Sequence, residues 1–227
     1  MKFPMRTVTL VTQKGGAGKT TLVATSLAIA AQQAGEMVAA FDLDPQGSLV
    51  EWGKMRKKAD TATVANPNLP VVERFPPDRI GQAKGMIESL GKKGVTLTIL
   101  DTAGADTPTT HAAMEASSFC LVPIRPTRLD LLAVRATVQA IMRSGKQFAF
   151  VLNQCSTIPR NNRANDTATG LASIGFMAEP LILSRHDYQD AFASGQGVTE
   201  YAPDSKAADE IRQLWTWIDN QTKEQKA

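Results

Sequence analysis

Short apolar runs alternate along the chain with segments of helical composition. Two of these segments, "KTTLVATSLAIAAQQAG" and "RLDLLAVRATVQAIMRSG", predict helices that end near Gly35 and Gly145. The apolar runs predict strands buried on both faces, and they read "TVTLVT", "MVAAFDLD", "VTLTILD", "SFCLVPI", "FAFVLNQ" and "AEPLIL". The alternation predicts an α/β fold: a doubly wound, mostly parallel twisted sheet with helices on both faces and with ligand loops at the carboxyl ends of its strands.

The segment from Ala59 to Gln82 interrupts this alternation, because prolines flank or break any regular element there. We predict a loop, a short strand "VVERF" and then a helix. A length of 227 residues with 43% apolar content suits a single domain over residues 1–227. Neither a membrane-spanning apolar run nor a secretory signal is apparent, so we expect a cytoplasmic protein that does not bind membranes. Cys120 and Cys155 are expected to be buried thiols.

The segment "TQKGGAGKTT", Thr12 to Thr21, follows the first predicted strand and precedes a helix. A glycine-rich turn in this setting points successive backbone N–H groups, and the positive end of the helix dipole, at a polyphosphate. Lys19 is expected to reach the β- and γ-phosphates, and the Thr20 hydroxyl is expected to bind Mg²⁺. The sequence therefore predicts a phosphate-binding loop for ATP and Mg²⁺, formed by Lys14, Gly15, Gly16, Ala17, Gly18, Lys19, Thr20 and Thr21.

A second lysine sets this loop apart, since Gln13 and Lys14 stand where a standard loop begins with glycine. The pattern "KGGAGKTT" resembles the deviant Walker A sequence of the ParA/MinD family of P-loop ATPases. Two later segments, "VPIRPTRLDLLAV" and "GVTEYAPDSKAADEIRQLWTWI", resemble ParA-type partition ATPases more than MinD. The resemblance spans Thr7 to Ile218 and implies that Lys14 reaches across a homodimer interface to the partner subunit's nucleotide. ATP binding would then be coupled to dimerisation.

Acidic residues follow two of the predicted strands. In "FDLDPQGS", Asp42 and Asp44 lie two residues apart and leave the sheet on the same side. The resemblance implies that Asp42 lies near Mg²⁺ and that Asp44 orients the attacking water, although both could instead cap the next helix. The apolar run "VTLTILDTAG" ends in Asp101, which is expected to face Mg²⁺ as a Walker B carboxylate. We therefore assign Thr20, Asp42 and Asp101 to the metal, and Lys14, Lys19 and Asp44 to catalysis.

Two later segments are expected to border the adenine base. Asn153 follows the strand "FAFVLN" and matches the adenine-contacting asparagine of the family, although an ordinary turn residue would look the same. Ser184 to Asp187 follow the run "EPLIL". The segment from Thr102 to Thr109 is expected to form the second switch, with Gly104 giving it mobility.

The resemblance also implies partners. ParA-like dimers bind DNA without sequence preference and hydrolyse ATP when a ParB-like or cargo-adaptor protein stimulates them, which would place this chain on the nucleoid. Plasmid or chromosome partition is the first hypothesis, and positioning of a protein cluster or microcompartment is the alternative. Lysine and arginine contacts to phosphates would supply the affinity. The candidates for these contacts are Arg160, Arg163, Arg185, Lys206 and Arg212.

Other functions within related folds are less compatible with the sequence. An operator-reading helix-turn-helix domain would have no room before the first strand at about Thr7. A MinD-like membrane helix would be basic and amphipathic, whereas the C-terminal apolar positions, among them Ile211, Leu214, Trp215 and Ile218, are expected to pack in the core. An ATP-dependent ligase of the cobyrinic acid diamide or dethiobiotin type remains open, and turnover that depends on a small organic acid would identify it.

Overall fold

The residues described by this computed structural model, 5–60, 70–158 and 162–224, form a parallel β-sheet flanked by helices. The strands are β1 (Arg6–Leu10), β2 (Val38–Asp42), β3 (Val71–Arg74), β4 (Leu97–Asp101), β5 (Phe119–Ile124), β6 (Gln147–Leu152) and β7 (Phe176–Met177). These seven strands lie in the order β3, β2, β4, β1, β5, β6, β7, and every neighbouring pair is parallel.

The helices follow the strands in the alternation that the sequence predicts. They are α1 (Thr25–Gln33), α2 (Ser48–Asp60), α3 (Ala83–Lys92), α4 (Pro108–Ala116), α5 (Arg128–Arg143), α6 (Arg163–Ala172), α7 (His186–Ala193), α8 (Val198–Tyr201) and α9 (Lys206–Glu224). A π-helical segment, Lys19–Ala24, leads directly into α1, and a 3₁₀ segment, Pro77–Gln82, precedes α3. Both predicted helix stops are confirmed, because Gly35 and Gly145 have positive φ just beyond α1 and α5.

Strands β1, β2, β4 and β5 are buried along their whole length. Alternate side chains of each strand therefore enter different cores. One core lies under α1, α2, α7 and α9, and the opposite face of the sheet is covered by α3, α4, α5 and α6. Burial on both faces explains why these strands read as continuous apolar runs. The doubly wound architecture predicted from the sequence is confirmed.

One predicted strand is wrong. The run "AEPLIL" from Ala178 to Leu183 does not form a strand, and the edge strand β7 ends just before it. Pro180 has no N–H to donate and cannot continue the ladder of hydrogen bonds. The run still lies beside the segment that leaves β6, because Leu183 forms an isolated parallel bridge with Cys155. The short strand predicted as "VVERF" is confirmed as β3, whereas residues 61–69 of the predicted loop lie outside the described residues.

The last helix packs as the sequence predicts. Ile211, Leu214, Trp215 and Ile218 of α9 are buried in the core that also contains α1. The thiols of Cys120 and Cys155 are likewise buried. Within the described ranges, no helix combines the length and apolar character needed to cross a membrane.

The sheet reverses its winding direction at β1, which pairs with β4 on one side and with β5 on the other. Open α/β sheets bind ligands at such a reversal, outside the carboxyl ends of the strands. Leu10 and Asp42 both lie in register with Asp101, so β1, β2 and β4 end at the same edge. The loops after these strands contain the residues that the sequence assigns to phosphate and metal.

Candidate nucleotide and metal site

The glycine-rich loop leaves β1 and turns into the helical segment that begins at Lys19. Gly18 has φ of 78°, and a Cβ atom there would lie 2.6 Å from the side-chain amide nitrogen of Asn153. Only glycine meets both requirements without strain. The loop is also covered from the other side, because a Cβ atom on Gly104 would lie 2.6 Å from the backbone nitrogen of Gly15. The predicted second switch therefore rests directly on the loop.

Lys19, Thr20 and Asp101 meet beneath this loop. Lys19 is buried, and its pKa is lowered by that burial, although the charges of Asp101 and Asp44 oppose the shift. The Thr20 hydroxyl donates a hydrogen bond to Oδ2 of Asp101. The other oxygen, Oδ1, is buried without a hydrogen-bond partner. A buried carboxylate oxygen without a partner, next to a threonine hydroxyl, is a suitable donor set for Mg²⁺ and its water ligands.

Burial raises the pKa of Asp101 to about 7, although the hydrogen bond from Thr20 and the charge of Lys19 oppose the rise. A divalent cation would favour the ionised form of this carboxyl group, because opposite charges lower the pKa of an acid. Mg²⁺ at this position would therefore offset the electrostatic cost of ionising the buried Asp101.

Replacing Asp101 by asparagine is expected to change how stability depends on pH in the nucleotide-free and metal-free protein. The carboxyl ionises near its ordinary 3.8 when unfolded and near 7 when folded, so the folded state binds the extra proton between these values. The free energy of unfolding of the wild-type protein therefore falls as the pH rises through this interval, by on the order of 2–4 kcal/mol. Urea unfolding should show wild type losing stability relative to Asp101→Asn as the pH rises, and a constant difference would contradict the shifted pKa.

Asp42 and Asp44 occupy different environments, although they are neighbours in the sequence. The two oxygens of Asp42 accept hydrogen bonds from the backbone N–H groups of Asp44 and Val50, at 3.0 and 3.1 Å. Asp42 therefore caps the first turn of α2, as the alternative interpretation of the sequence expected. Oδ1 of Asp44 accepts the N–H of Gln46 at 2.9 Å within a half-exposed turn. Of these two carboxylates, Asp44 is the one that faces solvent beside the phosphate loop.

An arginine that the sequence did not single out holds this turn. The guanidinium of Arg74, at the end of β3, donates hydrogen bonds to the carbonyl oxygens of Asp44 and Pro45, at 3.4 and 3.0 Å. Because β3 and β2 pair directly, the arginine reaches the turn from the neighbouring strand. The segment around Asp44 is thus attached to the sheet by a side chain and remains open to solvent.

Asn153 is fully buried and supports the loop. Its amide nitrogen donates to the carbonyl oxygen of Ala17 at 2.8 Å, and its amide oxygen accepts the N–H of Gln154. The structure therefore places Asn153 against the phosphate loop, and its expected contact with adenine stays a prediction. Gln154 has a φ of 53°, a left-handed conformation that is unusual for a residue other than glycine.

A cavity of about 340 Å³ lies between the phosphate loop and the start of α7. Ser184 and Arg185, from the segment expected to border the base, line it together with Gln154. The remaining lining residues are Gly16, Gly18, Thr21, Leu22, Leu183, Tyr188 and Gln189. The predicted base-side segment thus does lie beside the loop, and Gln154 is a lining residue that the sequence analysis missed.

Lys14 is bound within its own chain. Its ammonium group forms a salt bridge with Asp130 in the first turn of α5. Arg125 contacts the same carboxylate, with distances of 2.6 Å from Nε to Oδ2 and 3.1 Å from Nη2 to Oδ1. Neither Asp130 nor Arg125 was identified from the sequence, although both lie in the segment "VPIRPTRLDLLAV".

The basic residues proposed for DNA do not share one environment. Arg185 forms a salt bridge with Glu210 at 2.6 Å, and Arg212 pairs with Asp209 at 3.0 Å. Arg185 and Lys206 line the same groove, whereas Arg163 lines a different cavity beside Arg125. Arg160 lies outside the described residues. Arg185, whose charge is balanced by Glu210, is therefore a poor phosphate ligand in this conformation.

Comparison with known proteins agrees with this geometry. Residues 8–193 match the family model described as the CobQ/CobB/MinD/ParA nucleotide binding domain. The chain belongs to this family of nucleotide-binding proteins. Its ParA/MinD-type P-loop fold accounts for the position of the glycine-rich turn at the end of β1.

Relatives within the ParA/MinD group cover nearly the whole chain. A protein named "Maintenance of carboxysome distribution protein A" from Halothiobacillus neapolitanus is 30% identical over 219 residues, which are 92% of this chain and 94% of the relative. The structure of apo McdA from Cyanothece has a TM-score of 0.73 at 18% identity and covers 92% of this chain and 99% of that chain. The MinD cell division ATPase of Pyrococcus furiosus also has a TM-score of 0.73, at 21% identity, with 95% and 99% covered. The two structural matches show the fold.

Proposed function

We propose that this protein is a weak, partner-stimulated Mg²⁺-ATPase that dimerises with ATP and positions a protein assembly on the nucleoid. One observation carries the proposal: a phosphate loop with an additional lysine, Lys14, lies beside the paired Thr20 and Asp101 in a chain that resembles a carboxysome-distribution protein over 92% of its length. The coupling of ATP binding to dimerisation that the sequence predicts is kept, and a protein assembly replaces a plasmid or chromosome as the preferred cargo.

The residues present fit ATP and Mg²⁺. Lys19 and the backbone N–H groups of the loop would hold the β- and γ-phosphates, and Thr20 and Asp101 would hold the metal. The unpartnered Oδ1 of Asp101 is available for this role, whereas Asp42 already binds two backbone N–H groups. We therefore place Asp101 nearer the metal than Asp42. Mg²⁺ held by these residues would neutralise negative charge on the phosphoryl group during its transfer to water.

The remaining catalytic roles belong to side chains at the rim of the loop. Asp44 would orient the water that attacks the γ-phosphate, and the turn held by Arg74 gives its carboxylate access to solvent. Lys14 of the partner subunit would add positive charge to the phosphates when two copies close over the nucleotide. Electrostatic stabilisation of this kind acts on charge that grows during the reaction. Hydrolysis would then reopen the dimer and release DNA.

The comparisons favour the microcompartment alternative over plasmid or chromosome partition. The relative from Halothiobacillus neapolitanus, and a second from Gloeobacter kilaueensis that is 34% identical over 155 residues, both have names that refer to carboxysome distribution. We therefore propose a protein microcompartment or similar assembly as the cargo and an adaptor on its surface as the partner. Nonspecific DNA would be the surface to which the ATP-bound dimer binds and along which it moves.

Slow ATP hydrolysis that rises severalfold when nonspecific DNA and the adaptor are both present is the expected result for the purified protein. The adaptor to test first is the product of the neighbouring gene, assayed for ATPase stimulation and co-precipitation. DNA binding should require ATP and weaken steeply with added salt, because phosphate contacts release counterions. Turnover that depends on a small organic acid would refute this function in favour of a ligase, and ATP-dependent flotation with liposomes would indicate a membrane role.

A further inference from the structure

We infer that Asp130 is a positioning residue for Lys14: it holds the lysine within its own chain, and Arg125 keeps the charge of Asp130 balanced when Lys14 turns toward a second subunit. The inference rests on the proposed ATP-dependent dimer. It concerns how readily Lys14 becomes available to a second subunit, and therefore how much nucleotide is needed to form that dimer.

The side chain of Lys14 can move without moving the loop. The backbone of the loop is hydrogen-bonded independently of the Lys14 side chain. The N–H of Gln13 donates to the Thr137 hydroxyl of α5 at 3.1 Å, and the N–H of Lys14 donates to the Thr12 hydroxyl at 3.3 Å. The Lys14 side chain is 30% exposed, whereas that of Asp130 is 5% exposed. A rotation of the lysine toward solvent would therefore leave both the loop and the aspartate in place.

Arg125 keeps the cost of this rotation low. A buried carboxylate that loses its only cation is strongly destabilising, because its charge remains without compensation. Here the guanidinium of Arg125 already binds both oxygens of Asp130 and would remain when Lys14 leaves. Burial acts to raise the pKa of Asp130, but the hydrogen bonds from Arg125 and Lys14 lower it overall, so the carboxylate is ionised and attracts both cations.

This arrangement predicts effects of opposite sign for two substitutions. Asp130→Asn removes the charge that retains Lys14, so the lysine is available to a second subunit at lower ATP concentration. Arg125→Gln removes the second cation that contacts Asp130, so Asp130 retains Lys14 more strongly and more ATP is needed to form the dimer. If Asp130 and Arg125 only supported the fold, both substitutions would weaken the dimer.

Sedimentation velocity of the full chain, titrated with a non-hydrolysable ATP analogue, measures the concentration that gives half-maximal dimer. From the strength of a partly exposed ion pair, we expect this concentration to fall about two- to fivefold for Asp130→Asn and to rise about two- to fivefold for Arg125→Gln. Arg125→Lys, which keeps the cation but loses the two-point contact, should restore part of the wild-type value. In the double variant the Arg125→Gln effect should disappear, because asparagine no longer retains Lys14.

Controls separate this effect from changes in folding and nucleotide binding. Arg128→Gln removes an exposed arginine from the same turn, and Asp166→Asn removes an exposed acid from the first turn of α6. Both should match wild type. Because Arg125 lies near Gly16, ADP affinity measured by calorimetry corrects for any direct effect on the nucleotide. If Asp130→Asn does not fold, Asp130→Ser removes the same charge with a smaller side chain, and its dimer should likewise form at lower ATP concentration than that of wild type.

Each outcome is informative. Loss of the dimer in Asp130→Asn, shifts of the same sign in both variants, or no shift in either would overturn the positioning role while leaving the proposed function intact. A wild-type protein that stays monomeric with the ATP analogue would refute the proposed function, and this inference with it.

Discussion

Replacing Lys14 by alanine is expected to abolish the ATP-dependent dimer while ADP binding is retained. Within one chain Lys14 contacts Asp130, so its removal takes no ligand away from the phosphate loop, where Lys19 remains. Between chains, the substitution would remove a charged contact from each of two nucleotides. Charge-assisted contacts contribute roughly 1.5–3 kcal/mol, so the affinity between subunits should fall at least about 10- to 100-fold.

Sedimentation with ATP or ADP and separate calorimetric titrations would test this result. Lys93→Ala provides a matched control, because it removes an exposed lysine beyond the end of α3, remote in sequence from the loop. Lys14→Arg should retain part of the dimer, since the charge is kept and only its geometry changes. An undiminished dimer in Lys14→Ala would exclude a role for this lysine across an interface.

The sequence was most informative where local chemistry determines structure. Strands buried on both faces appear as continuous apolar runs, and the loop from Thr12 to Thr21 could be located because its glycines and Lys19 occur at fixed spacing before a helix. The run "AEPLIL" misled the prediction because apolar composition outweighed the single Pro180, which has no backbone N–H to donate.

Contacts between distant segments could not be predicted. Nothing in the sequence indicates that Asp130 meets Lys14 or that Arg74 binds the turn at Asp44, because these contacts arise only when the sheet is assembled. Asn153 illustrates a further limit: its position after β6 was predicted, but its amide group could point either to a ligand or to the loop. The structure directs it to Ala17.

Replacing Asp44 by alanine is expected to stop hydrolysis without preventing ATP binding or dimerisation. Asp44 is half-exposed beside the loop and contributes no contact to Lys19, Thr20 or Asp101 beyond its charge. A side chain that positions water or accepts its proton typically accelerates a reaction about 10²- to 10⁴-fold, so turnover should fall by that factor. Trapped in the ATP state, the variant should remain a dimer and stay bound to DNA.

The structure supplies a control that separates chemistry from loop geometry. Oδ1 of Asp44 accepts the N–H of Gln46, and asparagine can keep this hydrogen bond while losing the negative charge. If the carboxylate acts on water, Asp44→Asn should be nearly as slow as Asp44→Ala in single-turnover hydrolysis, with an unchanged dissociation constant for ATP. If the residue only shapes the turn, asparagine should restore turnover. Retained hydrolysis in Asp44→Ala would exclude both roles and would shift attention to the neighbouring carboxylates of Asp42 and Asp101.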